Sequence, residues 1–339
     1  MNLKSCIKNT FLYLLLIFTV FTFLLRESSP HDIISAASGT NTVILLFGIV
    51  LMLFAVSCEG FNLKVLLKVL HHDRPLRSCM RYAFAGHYFT SVTPSASGGQ
   101  PAQLYYMSKD GIPVGSASVA LLMYNMSYHA GIIGIYTTAL VFRWRLIGEM
   151  VGAFKALLIA GFLIHAALLF FFLALIFRPH MIAALGCFLT KIFTKIKFIK
   201  RPHKIESALL SYSEHYRESA AYIKENLSIF LRIQPVTFLQ VLIIFSVPFF
   251  VFQAFGLYGF NMLDLLALQG SVIIIADAVP TPGGVGISEA AISTVYAQVF
   301  GSTFILPSVI LCRLIGYYLP VAFSGIMTAV LSLRRLPNP

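Results

Sequence analysis

Long apolar runs dominate this chain, and at two places clusters of proline and glycine cut them. The sharper cut is Asp-Ala-Val-Pro-Thr-Pro-Gly-Gly-Val-Gly-Ile-Ser-Glu, Asp277 to Glu289. Proline removes an amide donor and glycine adds backbone freedom, so a helix does not continue through it. The other cut is Thr93-Pro94-Ser95-Ala96-Ser97-Gly98-Gly99-Gln100-Pro101. Non-helical backbone at membrane depth survives only where protein or a wet cavity satisfies its polar groups. Each break is therefore expected at a site rather than on a lipid-facing wall, and paired interruptions in two halves of a chain point to a transporter's substrate site.

Composition sets the class. Of 339 residues, 58% are hydrophobic and 11% charged, with mean hydropathy +0.83, which fits a polytopic helical membrane protein and neither a soluble domain nor a disordered one. The net charge of +12 does not mark a nucleic-acid binder, because no basic stripe with interleaved aromatics stands clear of the apolar spans. Cys6, Cys58, Cys79, Cys187 and Cys312 lack metal-like spacing and read as reduced small hydrophobes. There is no Walker loop, no spaced metal-ligand set and no nucleophile with its base, so neither a cofactor nor an enzymatic activity is expected.

Charge and length give a topology. A first span beginning near Cys6 precedes an external loop, Arg26 to Gly39, and Thr42 to Phe61 returns inward. Lys64, Lys68, Arg74, Arg77 and Arg81 then mark a cytoplasmic segment. Tyr82–Val92 and Ala102–Met107 are each too short to cross and read as a hairpin dipping in from the inside. Val114–Val141 and Met150–Phe177 are spans, with Arg143-Trp144-Arg145 outside. Arg178 to Arg232 is a basic connector whose first part suits an amphipathic surface helix and whose part from Ile205 to Leu227 packs beneath the bundle. Pro235–Leu257 crosses outward, Met262–Val279 and Ile287–Phe300 form a second hairpin from the outside, and Phe304–Leu333 ends the set. The expected fold is all-α: six full transmembrane helices plus two re-entrant helical hairpins in an inverted repeat. Residues 42–141 and 235–333 are the two repeat units and 178–232 the connector of a single membrane domain, placed in the cell membrane with both termini cytoplasmic.

In such hairpins the second half-helix starts near mid-bilayer and points its free amides and dipole at whatever lies there. The residues of the breaks, Thr93, Pro94, Ser97, Gly98, Gly99 and Gln100 in the first and Thr281, Pro282, Gly283, Gly284 and Gly286 in the second, are the candidate substrate contacts. Their glycines let a headgroup approach the backbone, or simply permit tight helix crossings. Gln103, Tyr106 and Asn125 border the first break. Asp277, Glu289 and Arg313 are ionisable at membrane depth, where burial costs at least about 2.5 kcal/mol. Glu289 and Arg313 are expected to pair, and Asp277 to cap freed amides or to bind an ion or proton. His87, His129 and His165 read as histidines satisfied within the bundle.

Pro280-Thr281-Pro282-Gly283-Gly284-Val285-Gly286-Ile287-Ser288-Glu289-Ala290-Ala291 and Arg313-Leu314-Ile315-Gly316-Tyr317-Tyr318-Leu319-Pro320 resemble the signature of the flippase-like membrane domain of the lysylphosphatidylglycerol synthase/flippase superfamily. The Pro94 to Gln103 stretch is similar to that family's first loop, departing from it at Gln100 and Gln103, where charged residues are usual. The resemblance implies a lipid translocase whose Glu289 and Arg313 match signature positions, and a stand-alone member without the aminoacyl-transferase domain.

Three functions follow as expectations. The first is movement of a phospholipid between leaflets, anionic or aminoacylated, lysylphosphatidylglycerol included. The second is ion-coupled transport of a small solute through Asp277. The third is a non-transporting partner of a separate lipid synthase. The partners expected are membrane lipids, with a second copy of the chain or a lipid synthase left open.

Overall fold

The computed structural model describes residues 39–93, 96–181 and 202–333. The first expected span, Pro94, the basic run from Lys191 to Arg201, Arg334 and Arg335 lie outside these, as do Cys6 and Cys187. All regular structure among the described residues is helical. The elements are α1 (Thr42–Val69), α2 (Leu76–Val92), α3 (Gly99–Lys109), α4 (Val114–Met150), α5 (Lys155–Phe177), α6 (Pro202–Glu225), α7 (Ser228–Ala254), α8 (Met262–Asp277), α9 (Ile287–Val295), α10 (Ala297–Arg313) and α11 (Leu319–Leu333).

Five stretches are long and apolar enough to cross a membrane: α1, α4, α5 with its preceding turn (Gly152–Phe177), α7, and α10 through α11 (Ala297–Leu331). They correspond to the five expected spans that fall on described residues. Asn41 starts α1 by accepting the Val43 and Ile44 amides, and Asn261 and Asp264 close a reciprocal capping box on α8. Each device satisfies amides that a helix start leaves bare. The helix expected to stop at Val141 runs on to Met150, with its turn at 151–154. It kinks at Arg143 (φ −131°, ψ 23°), whose Nε donates to the Asp264 carboxylate. Partnered this way, the arginine stays on the helix and does not have to leave it for a loop.

The two breaks fall where they were read. Leu76–Val92 and Gly99–Lys109 are the arms of one helical hairpin, and Met262–Asp277 and Ile287–Val295 begin another. The second arm of the latter bends at Tyr296 and turns at Gly301, which has φ 66°. At the base of the first hairpin Asp110 accepts from both Arg81 and Tyr82, and Arg74 donates to the Asp110 carbonyl at 2.6 Å.

Side chains from the same three long helices build two separate cores. Leu63, Leu66 and Leu67 of α1, Leu121 and Met123 of α4, and Ile229 and Ile233 of α7 pack with Cys79, Tyr82 and Met107 of the first hairpin. Met52 and Ala55 of α1, Ile132 and Tyr136 of α4, and Val241 and Val251 of α7 pack with Leu265, Val272, Ile275 and Ala291 of the second. The two hairpins thus occupy opposite ends of the bundle. Between them runs a buried polar ladder: Asn62 Nδ2 donates to Thr237 Oγ1 at 2.9 Å, and Ser127 Oγ lies 2.8 Å from both Thr237 Oγ1 and Gln234 Oε1. Further along, Tyr124 and Gln240 are joined.

Helix α6, in the stretch read as the connector, packs against α4 and α5. Tyr216, Ala220 and Ile223 are buried, the Tyr216 hydroxyl donates to the Leu175 carbonyl at 3.0 Å and Ser219 reaches Ser116 at 2.9 Å. Gly115 permits this approach, since a Cβ there would lie 2.6 Å from the Tyr216 amide nitrogen.

Candidate functional site at the helix breaks

The second break is built from a turn, a short helix start and a π-turn. Thr281 is extended, Pro282–Gly284 forms one 3-10 turn, and Gly283, Gly284 and Gly286 all have positive φ (59°, 66° and 93°). Gly283 is left-handed, at a cost of about 1–2 kcal/mol to other L-residues, and Gly286 (ψ −60°) lies in the rarer, more strained γ region. Gly286 precedes α9, and its amide donates to Glu289 Oε2 at 2.7 Å. Glu289 therefore caps its own helix with one oxygen.

The other oxygen holds the expected pair. Arg313 Nε donates to Glu289 Oε1 at 2.7 Å, and the Tyr318 hydroxyl donates to the same oxygen at 3.1 Å. Arg313 also reaches the Gly283 carbonyl at 3.2 Å. Its guanidinium lies 4.3 Å from the Tyr317 ring centre and 5.3 Å from that of Tyr318. Two consecutive tyrosines can flank one arginine because Leu314–Tyr318 is a π-turn, whose extra residue per turn brings both rings to one side. A buried ion pair is tolerated when further hydrogen bonds satisfy its remaining groups, and that is the arrangement here.

The tips of the two hairpins meet at this point. The Tyr317 hydroxyl donates to the Ser91 carbonyl at 2.9 Å, and Val92, Val285 and Val321 form one small buried cluster with Tyr88, Phe89 and Tyr317 against it. The glycines divide into two kinds. A Cβ on Gly283 would lie 1.5 Å from the Tyr317 hydroxyl, whereas one on Gly286 would meet nothing within 4 Å. Gly283 is small to admit a tyrosine, while the space beside Gly286 is open.

The first break is tighter. Thr93 Oγ1 donates to the Phe89 carbonyl at 2.6 Å and accepts the Gly98 amide at 2.8 Å. A Cβ on Gly99 would lie 1.9 Å from Thr90 Oγ1 and 3.0 Å from the Gly86 carbonyl, so Gly98 and Gly99 serve close backbone crossing. Ser97 and Gln100 are exposed. Gln103 is buried and donates to Glu59 on α1, in room left by Gly86. Tyr106 lies under the Arg81 guanidinium, and Asn125 spends its donor on the Leu121 carbonyl of its own helix at 2.7 Å. Thr281 Oγ1 and His87 Nε2 are buried without a hydrogen-bond partner.

Asp277, read as a cap for freed amides or as an ion or proton site, lies beside a histidine. His165 Nε2 lies 3.1 Å from its Oδ2, and His165 Nδ1 lies 2.8 Å from His129 Nδ1. Glu59, Tyr317 and Tyr318 were not among the candidate site residues, and His129 and His165 were read as histidines satisfied within the bundle. Glu59 carries its own signal, a carboxylate inside an apolar span. His129, His165 and Asp277 are far apart in sequence, and only the packing of α4, α5 and α8 unites them.

Among the described residues no group of three His, Cys, Asp or Glu is arranged to hold a metal. Fold and site together define a multi-pass helical membrane protein with two broken helices whose tips touch beside a buried ion pair. The family model described as the lysylphosphatidylglycerol synthase TM region matches residues 11–324, and the chain belongs to that family. It is also similar to the UPF0104 membrane protein of Archaeoglobus fulgidus, 21% identical over 299 residues, covering 86% of this chain and 88% of that protein.

Proposed function

We propose that this protein moves a phospholipid, anionic or aminoacylated, between the leaflets of a cell membrane. In this reading the hairpins are re-entrant, each enters from its own side of an inverted repeat, and the basic connector lies on the cytoplasmic face with both termini. The lipid headgroup passes between the broken helices while its acyl chains stay in the bilayer. The observation that carries the reading is the meeting of the two tips at Tyr317 and Ser91, with open space at Gly286 and a helix start next to it. Amide ends and a helix dipole favour a negatively charged phosphate. The family description, which names a lipid synthase's membrane region, supports a lipid as cargo.

The test is leaflet exchange in reconstituted vesicles, using fluorescent phosphatidylglycerol and lysylphosphatidylglycerol. Exchange faster than in empty liposomes for at least one of them is expected. Equal rates for every anionic, zwitterionic and aminoacylated lipid would overturn the reading.

A further inference from the structure

His129 on α4, His165 on α5 and Asp277 at the end of α8 form one unbroken line of polar atoms. The two Nδ1 atoms lie 2.8 Å apart, and His165 Nε2 lies 3.1 Å from Asp277 Oδ2. The middle of the line is sealed and its ends are not. His165 is 3% exposed, the Asp277 side chain is 51% exposed and His129 is partly exposed. At membrane depth a carboxylate that open must face water or cargo, because facing lipid is costly.

Two imidazole nitrogens bond to each other only when one carries a proton and the other does not. In one arrangement His129 Nδ1–H donates to His165 Nδ1, and His165 Nε2–H donates to the Asp277 carboxylate. In the other, protonated Asp277 donates to His165 Nε2, and His165 Nδ1–H donates to His129 Nδ1, with the His129 proton on Nε2. The second arrangement contains one proton more than the first.

We propose that this line is a proton relay that couples transport to proton transfer, an inference that rests on the reading of the protein as a lipid translocase. A proton arriving at His129 Nε2 forms an N–H bond there. The Nδ1–H of His129 breaks as its proton passes to His165 Nδ1, and the Nε2–H of His165 breaks as its proton passes to Asp277. One proton enters, one carboxyl group forms, and both imidazoles end neutral with their tautomers exchanged. Asp277 sits where α8 ends and the second break begins, so its charge is removed or restored at the edge of the candidate cargo site.

The groups that face the line are few. Tyr128 lies beside His129 on α4. Phe172 covers the other side of His129 at 5.6 Å. From α6 the titratable groups in contact with α5 include Tyr216, whose hydroxyl donates to the Leu175 carbonyl, and Lys224, over the Phe177 ring. Between Lys155 and Arg178, α5 carries no titratable residue other than His165.

The experiment uses vesicles of phosphatidylethanolamine and phosphatidylglycerol, fluorescent phosphatidylglycerol as probe, and potassium with valinomycin to clamp the potential. With one proton moved per lipid, a difference of one pH unit shifts the leaflet distribution by up to about tenfold in the native protein. H165Q and H129Q lose that shift. Infrared difference spectra of the native protein in nanodiscs supply a readout independent of transport: a carboxylic-acid band that appears together with the imidazole tautomer exchange and is absent in D277N. Lipid exchange that ignores the gradient, without that band, would overturn the relay and leave the translocase reading standing. The band with its tautomer exchange but no lipid movement would keep the relay as a proton site and remove lipid as the cargo.

Discussion

Glu289 and Arg313 meet through a 2.7 Å hydrogen bond with 1% and 7% of their surfaces exposed. Glu289 opens α9, and Arg313 closes α10 immediately before the π-turn, so the bond fastens the second break to the last span. Removing either partner strands the other in a buried setting, at a cost of about 3–5 kcal/mol. E289Q and R313Q are each expected to lower the unfolding midpoint in detergent and to lower lipid exchange. R313K is expected to fall between, since lysine keeps the charge but lacks the planar fork that reaches Glu289 and Gly283 and lies beside two tyrosines. Exchanging the two residues does not restore the site, because arginine at 289 cannot accept the Gly286 amide. A pair of single mutants with native midpoints would refute the structural role of the bond.

The glycines of the second break differ in what they tolerate. G283A meets a left-handed φ and collides with the Tyr317 hydroxyl and ring, while G286A meets open space and a backbone penalty alone, toward the upper end of about 1–3 kcal/mol. G283A should therefore be the more damaging, and G283A/Y317A should recover stability but not the contact between the tips. Thermal unfolding of the three variants decides this, with equal losses in G283A and G286A counting against it.

Thr237 accepts from Asn62 and Ser127, and donates to the Ile233 carbonyl. Hydrogen bonds between membrane helices average about 0.6 kcal/mol, so T237V should be only mildly destabilised, by roughly 1–2 kcal/mol in total with the two interhelical bonds lost. A larger loss in a denaturant titration would mean the ladder is a cooperative network.

Docking of α6 is expected to weaken at acid pH through the α1–α2 turn. Burial holds the His72 imidazole below its ordinary range, and Arg74, His71 and His215 of α6 push it the same way. A histidine with a lower pKa folded than unfolded contributes stability above the unfolded value of about 6.5, and that contribution is lost as pH falls toward the folded value. Limited proteolysis should cut α6 faster at acid than at neutral pH, and less so in H72Q. G115V, which drives a side chain against the Tyr216 backbone, should expose α6 at every pH.

Much of this architecture was legible because the bilayer penalises exceptions. Apolar length gave the spans from Thr42 onward, and Pro280 to Gly286 could be nothing but a break. The Glu289–Arg313 pair was readable because two opposite charges at that depth need each other. Partners that arise from packing were not readable. Arg143 looked like a loop residue, though Asp264 lies beside it, and nothing in the sequence of Asp277, read as a cap or as an ion or proton site, pointed to His165. Glu59 lies on a long apolar helix and finds Gln103 only through the first hairpin.

The central claim is that the tips of the two broken helices touch inside the membrane, and cross-linking tests it most directly. In a cysteine-free background, V92C with V285C in native membranes should join through a short bifunctional thiol reagent, within one chain, since both side chains belong to the cluster around Tyr317. Failure to join, with both cysteines instead labelled by a membrane-impermeant reagent from the same aqueous side, would contradict it.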